Sequence, residues 1–570
     1  MILRVDLDKG EIEKEPLPKD YREKYLGGNG YGVVELYKHL KEDPLIFAAG
    51  GMDGTIIPTA NITGVFGISP LTGFLGESYF KGHFGTEMMF AGYEVIFIRG
   101  ESKSPVFLHI DGDDVSIEDA REVLGKDAWK TEDHFKYRFG ERVEVASIGI
   151  AGENKVKFAC ITHGYGRQAG RTGMGCLMGQ KKLKAIVIRG NKPVKTANDE
   201  KLFGKILELD KLVEGEGTEK YRVYGTPGGL KHLNEAGALP TRNWQQASFE
   251  KAENITGEEM KHYWKHDISC FSCPIACGKL TSSRKYRVKE EGPEYETIYA
   301  LGSNCGIDDF NTIIEANELC DTFGMDTITT GNLIALAFEL GEKGIIKDKE
   351  LVFGNGDKLL ELIKQIANRK GLGAEMADGI VPFAKKYKAL KYAMQVKGME
   401  PGGFHPNGLP SYALSIAIDV RGADHQRAGA YGIDLAFCDE QRFSIKGKAK
   451  QVKESEDYYT LFDSLGICKF ARKVYNVDLM AELWSLVTGK KVTADELKKK
   501  AATIYDIEKA INVKLGWKES DDSLPERVTS MPLPDDMVKG RYIKQKDFEI
   551  MKREYYAARG WTKGIPKVKL

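Results

Sequence analysis

A chain of 570 residues is far longer than a small binding module and, at roughly 100 to 200 residues per domain, implies about three or four domains with a large buried core. Lysine plus arginine and aspartate plus glutamate are each 83, so the formal charge is zero and no global field favours nucleic acid or an anionic membrane. Glycine is the outlier at 63 residues, about 11% against an average near 7%, and it has neither the period of collagen nor the polar bias of low-complexity sequence.

The chain opens Met1-Ile2-Leu3-Arg4-Val5-Asp6, without the basic region and apolar stretch of a signal peptide, and no 18-residue apolar run follows. A soluble, cytoplasmic protein with no membrane span is expected. Leu3–Leu7 and Glu11–Glu15 flank an Asp-Lys-Gly turn and read as strands, as do Glu94–Ile98, Pro105–Ile110, Val143–Ile148, Val156–Ile161 and Lys184–Ile188. A helix is predicted over Tyr31–Lys41. Residues 1 to 190 hold 28 of the glycines, eleven of them from Gly50 to Gly100, so the backbone of this β-rich third turns tightly or approaches something closely.

Turn and charge signals over Asn191–Asn198 place a boundary near residue 195. Beyond it, apolar residues recur at three- and four-residue spacing over Asp309–Phe323, Thr327–Gly341, Lys358–Lys370 and Ala501–Leu515, with glycines near the ends. The break Lys397–Phe404 divides the helical part. The predicted class is α+β: a β-rich N-terminal domain (1–195) as the base for a cofactor, then two mainly helical domains (196–396 and 397–570).

The sharpest chemical signal is Cys270-Phe-Ser-Cys273-Pro-Ile-Ala-Cys277-Gly. Three thiols in eight residues let one loop wrap a compact centre. An iron-sulfur cubane takes four thiolates, commonly three local and one distant. Zinc also suits four thiolates, and three buried structural cysteines are the plain alternative. The order of spacings is the reverse of the C-x3-C-x2-C loop of radical S-adenosylmethionine enzymes. The fourth ligand is to be sought among Cys160, Cys176, Cys305, Cys320, Cys438 and Cys468.

A local pattern occurs twice, as Asp321-Thr-Phe-Gly324-Met-Asp326 and Asp463-Ser-Leu-Gly466-Ile-Cys468. Each follows an amphipathic helix that the glycine would stop. Two ordinary C-caps account for this; alternatively, free N–H groups beside a fixed carboxylate suit a polar heterocycle. The second copy ends on Cys468, which makes that thiol the leading fourth ligand. Upstream, Gly164–Gly175 interleaves Arg167 and Arg171 with glycines. No acidic residue after a following strand supports a dinucleotide loop, whereas phosphate binding remains open beside the alternative of surface arginines.

These residues resemble the tungsten-containing aldehyde ferredoxin oxidoreductase family over essentially the whole chain. The markers include Tyr25-Leu-Gly-Gly-Asn-Gly30, Ser69-Pro-Leu-Thr-Gly73, Phe90-Ala-Gly-Tyr93, Ser147-Ile-Gly149 with Ala151-Gly-Glu-Asn154, Gly292-Pro-Glu-Tyr-Glu296, Ile314-Glu-Ala-Asn317 and Arg559-Gly-Trp561. The resemblance implies a tungsten bis-pyranopterin, a nearby 4Fe-4S cluster, and oxidation of aldehydes to carboxylic acids with ferredoxin as electron acceptor. It leaves room for a small iron-sulfur subunit. In that scheme Cys270, Cys273, Cys277 and Cys468 match the cluster ligands, and Asp321, Met325, Asp326, Asp463 and Ile467 match the pterin loops. Arg167 and Arg171 suit the pterin phosphates, and Tyr79 and Gln168 match positions whose carbonyls serve a bridging Mg2+.

Glu296 and His425 match the family's active-site pair; without the resemblance they are one acidic residue among 83 and a loop histidine. The chemistry asks for such a pair, because forming an acid from an aldehyde and water requires proton removal while the metal acts as Lewis acid and electron sink. Two positions depart from the family. Ile62, beside Asn61, stands where an arginine usually links cluster and pterin, so another link is expected. Glu315 matches the glutamate of a subunit-bridging metal, but no histidine lies between His266 and His405, so a metal-bridged homodimer is not expected. Two rival functions remain: a related tungsten reductase subunit acting on aromatic thioesters, and a non-catalytic iron-sulfur carrier or zinc-stabilised scaffold.

Overall fold

The computed structural model describes residues 1–437 and 440–568, the side chain of Asp536 excepted. Strands β1 (Ile2–Asp6) and β2 (Glu11–Glu15) pair antiparallel, Ile2 opposite Glu15. They join β3 (Leu45–Ala49), β4 (Thr63–Ile68), β5 (Leu75–Phe80) and β6 (Val95–Arg99) in one six-stranded sheet of order β2-β1-β6-β3-β4-β5. The edge strand β2, Glu-Ile-Glu-Lys-Glu, is charged and largely exposed, which discourages pairing with another chain.

A second sheet comprises β7 (Val106–Asp111), β8 (Asp114–Asp119), β9 (Glu144–Ser147), β10 (Ile161–His163), β11 (Arg167–Ala169) and β12 (Leu183–Arg189), ordered β11-β10-β9-β12-β7-β8. The two sheets share a core in which Leu3, Phe47 and Ile96 of the first join Leu108, Ile186 and Ile188 of the second. The opposite face of the first sheet, with Ile46 and Phe66, belongs to a larger core that extends into the helices through Ile504 and Tyr505. Each side chain so buried contributes about 1.5–3 kcal/mol.

The rest is mostly helical, apart from a small sheet of β13 (Trp264–Ile268), β14 (Gly278–Ser283) and β15 (Val288–Glu291). The expected helices form over Phe310–Phe323, Thr327–Glu342, Gly356–Ala367 and Ala494–Lys514. The last begins seven residues early because Thr493 and Glu496 form a capping box. The helix predicted over Tyr31–Lys41 runs over Gly28–Lys38 and is followed by a 3-10 turn. Among the described residues, no helix is long and apolar enough to cross a membrane.

Two expectations need correction. Of the strand predicted over Val156–Ile161, only Ile161 enters a named strand. The amide of Cys160 donates to Gly324 O, and Phe158 O accepts from Asp326 N, so this segment spends its backbone groups on the first Asp-x-x-Gly loop. The early glycines also meet protein far more often than open space. A Cβ on Gly173 or Gly175 would lie 2.0 Å from Lys157 O or 2.1 Å from Cys160 O, and one on Gly50 would lie 2.2 Å from Gly466 Cα. Much of the glycine excess therefore serves backbone-to-backbone packing; Gly170 is different, as described below.

Candidate active site

Both Asp-x-x-Gly segments follow helices stopped by a left-handed glycine, Gly324 at φ 73° and Gly466 at φ 84°, the conformation glycine adopts at least cost. Beyond the stop, each loop docks on the N-terminal region through the same backbone ladder. Met325 forms an antiparallel bridge with Ala159, and Ile467 does so with Ala60. Cys160 N donates to Gly324 O (2.8 Å) and Asp326 N to Phe158 O (3.1 Å); likewise Asn61 N donates to Gly466 O (3.0 Å) and Cys468 N to Thr59 O (3.0 Å). The repeat seen in sequence is thus a repeat in three dimensions.

Between the loops lies a cavity of about 460 Å³ whose walls include Tyr79, Gln168, Arg171, Asp321, Glu296 and His425. Arg167, Met325, Asp326, Asp463 and Cys277 line it too. Ile467 does not: it is fully buried in apolar core with Met52 and Ile57. Glu315, half-buried on the helix Phe310–Phe323, is also absent from the walls among the described residues.

The cysteine loop joins this assembly from one side. Thr59 N donates to Ser272 O (2.9 Å), and Asn61 Nδ2 donates to Phe271 O (2.8 Å), so residues 59–61 tie the Cys270–Cys277 loop to the Asp463–Cys468 loop. Ile62 offers no such link; its side chain lines the cavity as an apolar wall. Beyond burial, the thiols of Cys270 and Cys273 both feel the charge of Cys468, and those of Cys273 and Cys277 feel that of Cys270. Cys160 lies near Asp326 and Cys320 instead, Cys176 is in the core, and the Cys305 thiol donates to Ala300 O and Gly331 O. Cys438 lies outside the described residues. Among the described residues, no group of three or more His, Cys, Asp or Glu stands close enough to hold a single ion. Three local thiols plus one distant thiol match the donor set of a cubane.

On the β11 wall, Gln168 accepts from Thr162 Oγ1 (2.9 Å), and its side chain also reaches the Asp321 carboxylate. Arg171 Nε is 2.9 Å from Asp326 Oδ2 and its Nη2 donates to Glu400 O (2.7 Å), while Nη1 is unpartnered. Gly170 lines the same wall, and a Cβ there would meet nothing closer than 4.0 Å, which leaves room for a ligand against the backbone. Arg171 N donates to Ser78 Oγ (3.2 Å), bringing this wall to the Tyr79 strand. A buried donor without a partner, such as Arg171 Nη1, is costly unless something else satisfies it; a phosphate-bearing pterin would do so, and the residues present fit that group.

Glu296 lies in the first turn of the helix Tyr295–Leu301, which follows the cis Gly292–Pro293 peptide. Its Oε2 accepts from Gly403 N (2.8 Å), and its Oε1 is 3.3 Å from His425 Nε2, the two side chains being 18% and 7% exposed toward the cavity they line. Burial pushes the Glu296 carboxyl up to about 8 despite the Gly403 amide. Burial also lowers His425 to about 4, against the opposing charge of Asp424. Near neutrality the pair is therefore a carboxylic acid beside a neutral imidazole.

Several site residues carried no sequence signal. Asp463 Oδ2 accepts from Lys469 (2.7 Å) and Arg427 (3.2 Å), and Arg427 also reaches Glu77 and Glu508. Asp321 has no cation of this kind among the described residues; burial and nearby Glu291 raise its pKa. Glu400, raised by burial to about 7, accepts from Thr329 Oγ1 (2.7 Å). Single charges among 166 cannot be distinguished by spacing, and only the fold brings these together.

A two-loop cavity with the four thiols on the segments beside it, buried cationic donors and an acid-imidazole pair has the parts that a cofactor-dependent redox protein needs. Sequence profiles agree: that of the aldehyde ferredoxin oxidoreductase N-terminal domain matches residues 2–190, and that of domains 2 and 3 of the same protein matches residues 207–570. The tungsten-containing aldehyde ferredoxin oxidoreductase of Pyrococcus horikoshii is 37% identical over 599 positions, spanning 100% of this chain and 97% of the relative. That of Pyrococcus abyssi gives the same figures. The chain belongs to the tungsten-containing aldehyde ferredoxin oxidoreductase family. Among solved structures, the active-site complex BamBC of benzoyl coenzyme A reductase, bound to 1,5-dienoyl-CoA, is similar with TM-score 0.85 and 26% identity over 99% of this chain and 95% of that one.

Proposed function

We propose that this chain oxidises an aldehyde and water to the carboxylic acid, two protons and two electrons, the electrons leaving for ferredoxin. The observation that carries the reading is the Glu296–His425 contact in a cavity bounded by both loops. Gln168, Arg171 and the two loops would hold a tungsten bis-pyranopterin, and the carbonyls of Tyr79 and Gln168 would serve its Mg2+. Cys270, Cys273, Cys277 and Cys468 would hold a 4Fe-4S cluster. The metal centre supplies Lewis acidity and a two-electron sink when bound.

The chain's own residues manage the protons. Deprotonated Glu296 is a strong base because of its burial, and a pKa near the operating pH suits a general base. Gly403 N–H fixes Oε2, so Oε1 is the oxygen that takes the proton, with the neutral His425 ring beside it to polarise the aldehyde oxygen. Natively purified protein should contain about one tungsten and four irons per chain and reduce a viologen dye with simple aldehydes; zinc as the only metal would sink the reading. Glu296→Gln should lower kcat by about 100- to 10,000-fold with metal content intact, and near-normal turnover would remove Glu296 from this role.

The similarity to BamBC supports a second reading, a reductase subunit acting on aromatic thioesters. Such a protein would depend on dedicated electron-delivery partners and leave simple aldehydes unoxidised in the same dye assay.

A further inference from the structure

Lys81 follows β5 directly and lines the cavity together with Cys277, Glu294 and Phe470. Its backbone surroundings are fixed, because the next residue, Gly82, accepts through its carbonyl from Phe271 N (3.2 Å), and Phe271 follows Cys270. The ammonium stands 4.0 Å over the ring of Phe470, two residues after Cys468. Lys81 therefore reaches both segments that carry the four thiols. Among the described residues it has no carboxylate within ion-pair distance, in contrast to Arg167 nearby, which is 2.6 Å from Glu291 Oε1 and largely neutralised by it.

Burial alone would lower the lysine pKa, but Cys468, Cys277, Glu294 and Cys270 outweigh it and push the group above its ordinary range. A cation held in a partly desolvated wall without an ion-paired carboxylate has its counter-charge in the thiolates and in Glu294. Position 62, an isoleucine, supplies no cation there.

We propose that Lys81 is the charge-compensating residue of the four-cysteine centre, setting its reduction potential by stabilising the more negative, reduced state. This rests on the cluster assignment under the proposed function. Net charge and nearby dipoles set iron-sulfur potentials, so removing a cation favours the oxidised form.

The test is an EPR-monitored redox titration of the full chain, natively purified, as Lys81→Met, Lys81→Arg and the unmutated protein, with iron measured in each. Lys81→Met should keep its iron and shift the reduction equilibrium at least tenfold toward the oxidised form, about 59 mV for one electron, while Lys81→Arg stays close to the unmutated value. Lys220→Met, a cavity-wall cation placed over Tyr221, should shift it far less. An unchanged potential in iron-replete Lys81→Met overturns the proposal, as does a shift of equal size in Lys220→Met. If Lys81→Met loses iron while Lys81→Arg retains it, the charge requirement stands; if both lose iron, the side chain acts through shape and the proposal fails. An unmutated chain without iron would instead fail the cluster assignment itself.

Discussion

The oxygen of Glu296 nearest His425 and that histidine's Nδ1 are both buried without a hydrogen-bond partner, so the pair is set up for a third participant rather than for itself. The sign of its pH dependence follows. Below about 8 the glutamate is protonated and unable to accept a proton; above it the carboxylate is present. His425, lowered to about 4, stays neutral throughout that range. If Glu296 is the base, kcat/KM for an aldehyde should rise tenfold per pH unit below about 8 and level off above it. The rising limb should vanish from the residual activity of Glu296→Gln. An identical limb in the variant would assign the titration to another group, with Glu400, at about 7, the first to examine.

At the scale of elements, the Asp-x-x-Gly loops depend on how closely the N-terminal backbone approaches them. Gly149 has an ordinary extended backbone, φ −80°, so only space forbids a side chain there: a Cβ would lie 2.3 Å from Phe323 O, the residue before the loop's glycine stop. Gly149→Ala should destabilise by about 1–3 kcal/mol and loosen the Met325 bridge. Gly204→Ala, within the helix Asp199–Val213 and with nothing within 4 Å, should stabilise by about 0.5–1 kcal/mol. Thermal unfolding of the two variants separates them, and equal melting temperatures would refute the close-approach argument. The sequence made the helices, their caps and the repeated loop legible because those rest on local periodicity and on a glycine stop. It did not reveal the ladder, since Val156–Cys160 has the composition of a strand and only the docked loop shows where its backbone groups are used. Nor did it reveal β3 to β5, whose apolar and glycine-bearing runs lack the alternation that marks a half-buried strand. The cysteine trio and the Asp-x-x-Gly pair could be read from spacing, whereas Glu296 and His425 entered only by resemblance.

Across the whole molecule, Arg427 connects regions far apart in the chain. It joins Glu77 on β5, Asp463 at the end of the helix Lys448–Leu465 and Glu508 on the helix Ala494–Lys514. All four side chains are buried. Replacing it with methionine would leave carboxylates without a counter-ion in low dielectric, a cost of about 3–5 kcal/mol. The expected outcome for Arg427→Met is faster thermal inactivation with weak dependence on salt, because buried pairs are little screened. Inactivation as slow as that of the unmutated protein would show that the neighbouring Lys469 suffices.

The matched ladders at residues 59–61 and 158–160 also set an order of events during synthesis. The N-terminal strands emerge first but present docking edges for loops that do not yet exist. The first loop can dock once residue 326 is out of the ribosome, and the second only after residue 468, which brings the fourth thiol. Because Thr59 and Asn61 hold the cysteine trio and the second loop together, the three early thiols have no completed nest until residue 468 has been made. If these four thiols hold the proposed cluster, its completion waits until residue 468 has been made and the second loop has docked on Thr59 and Asn61.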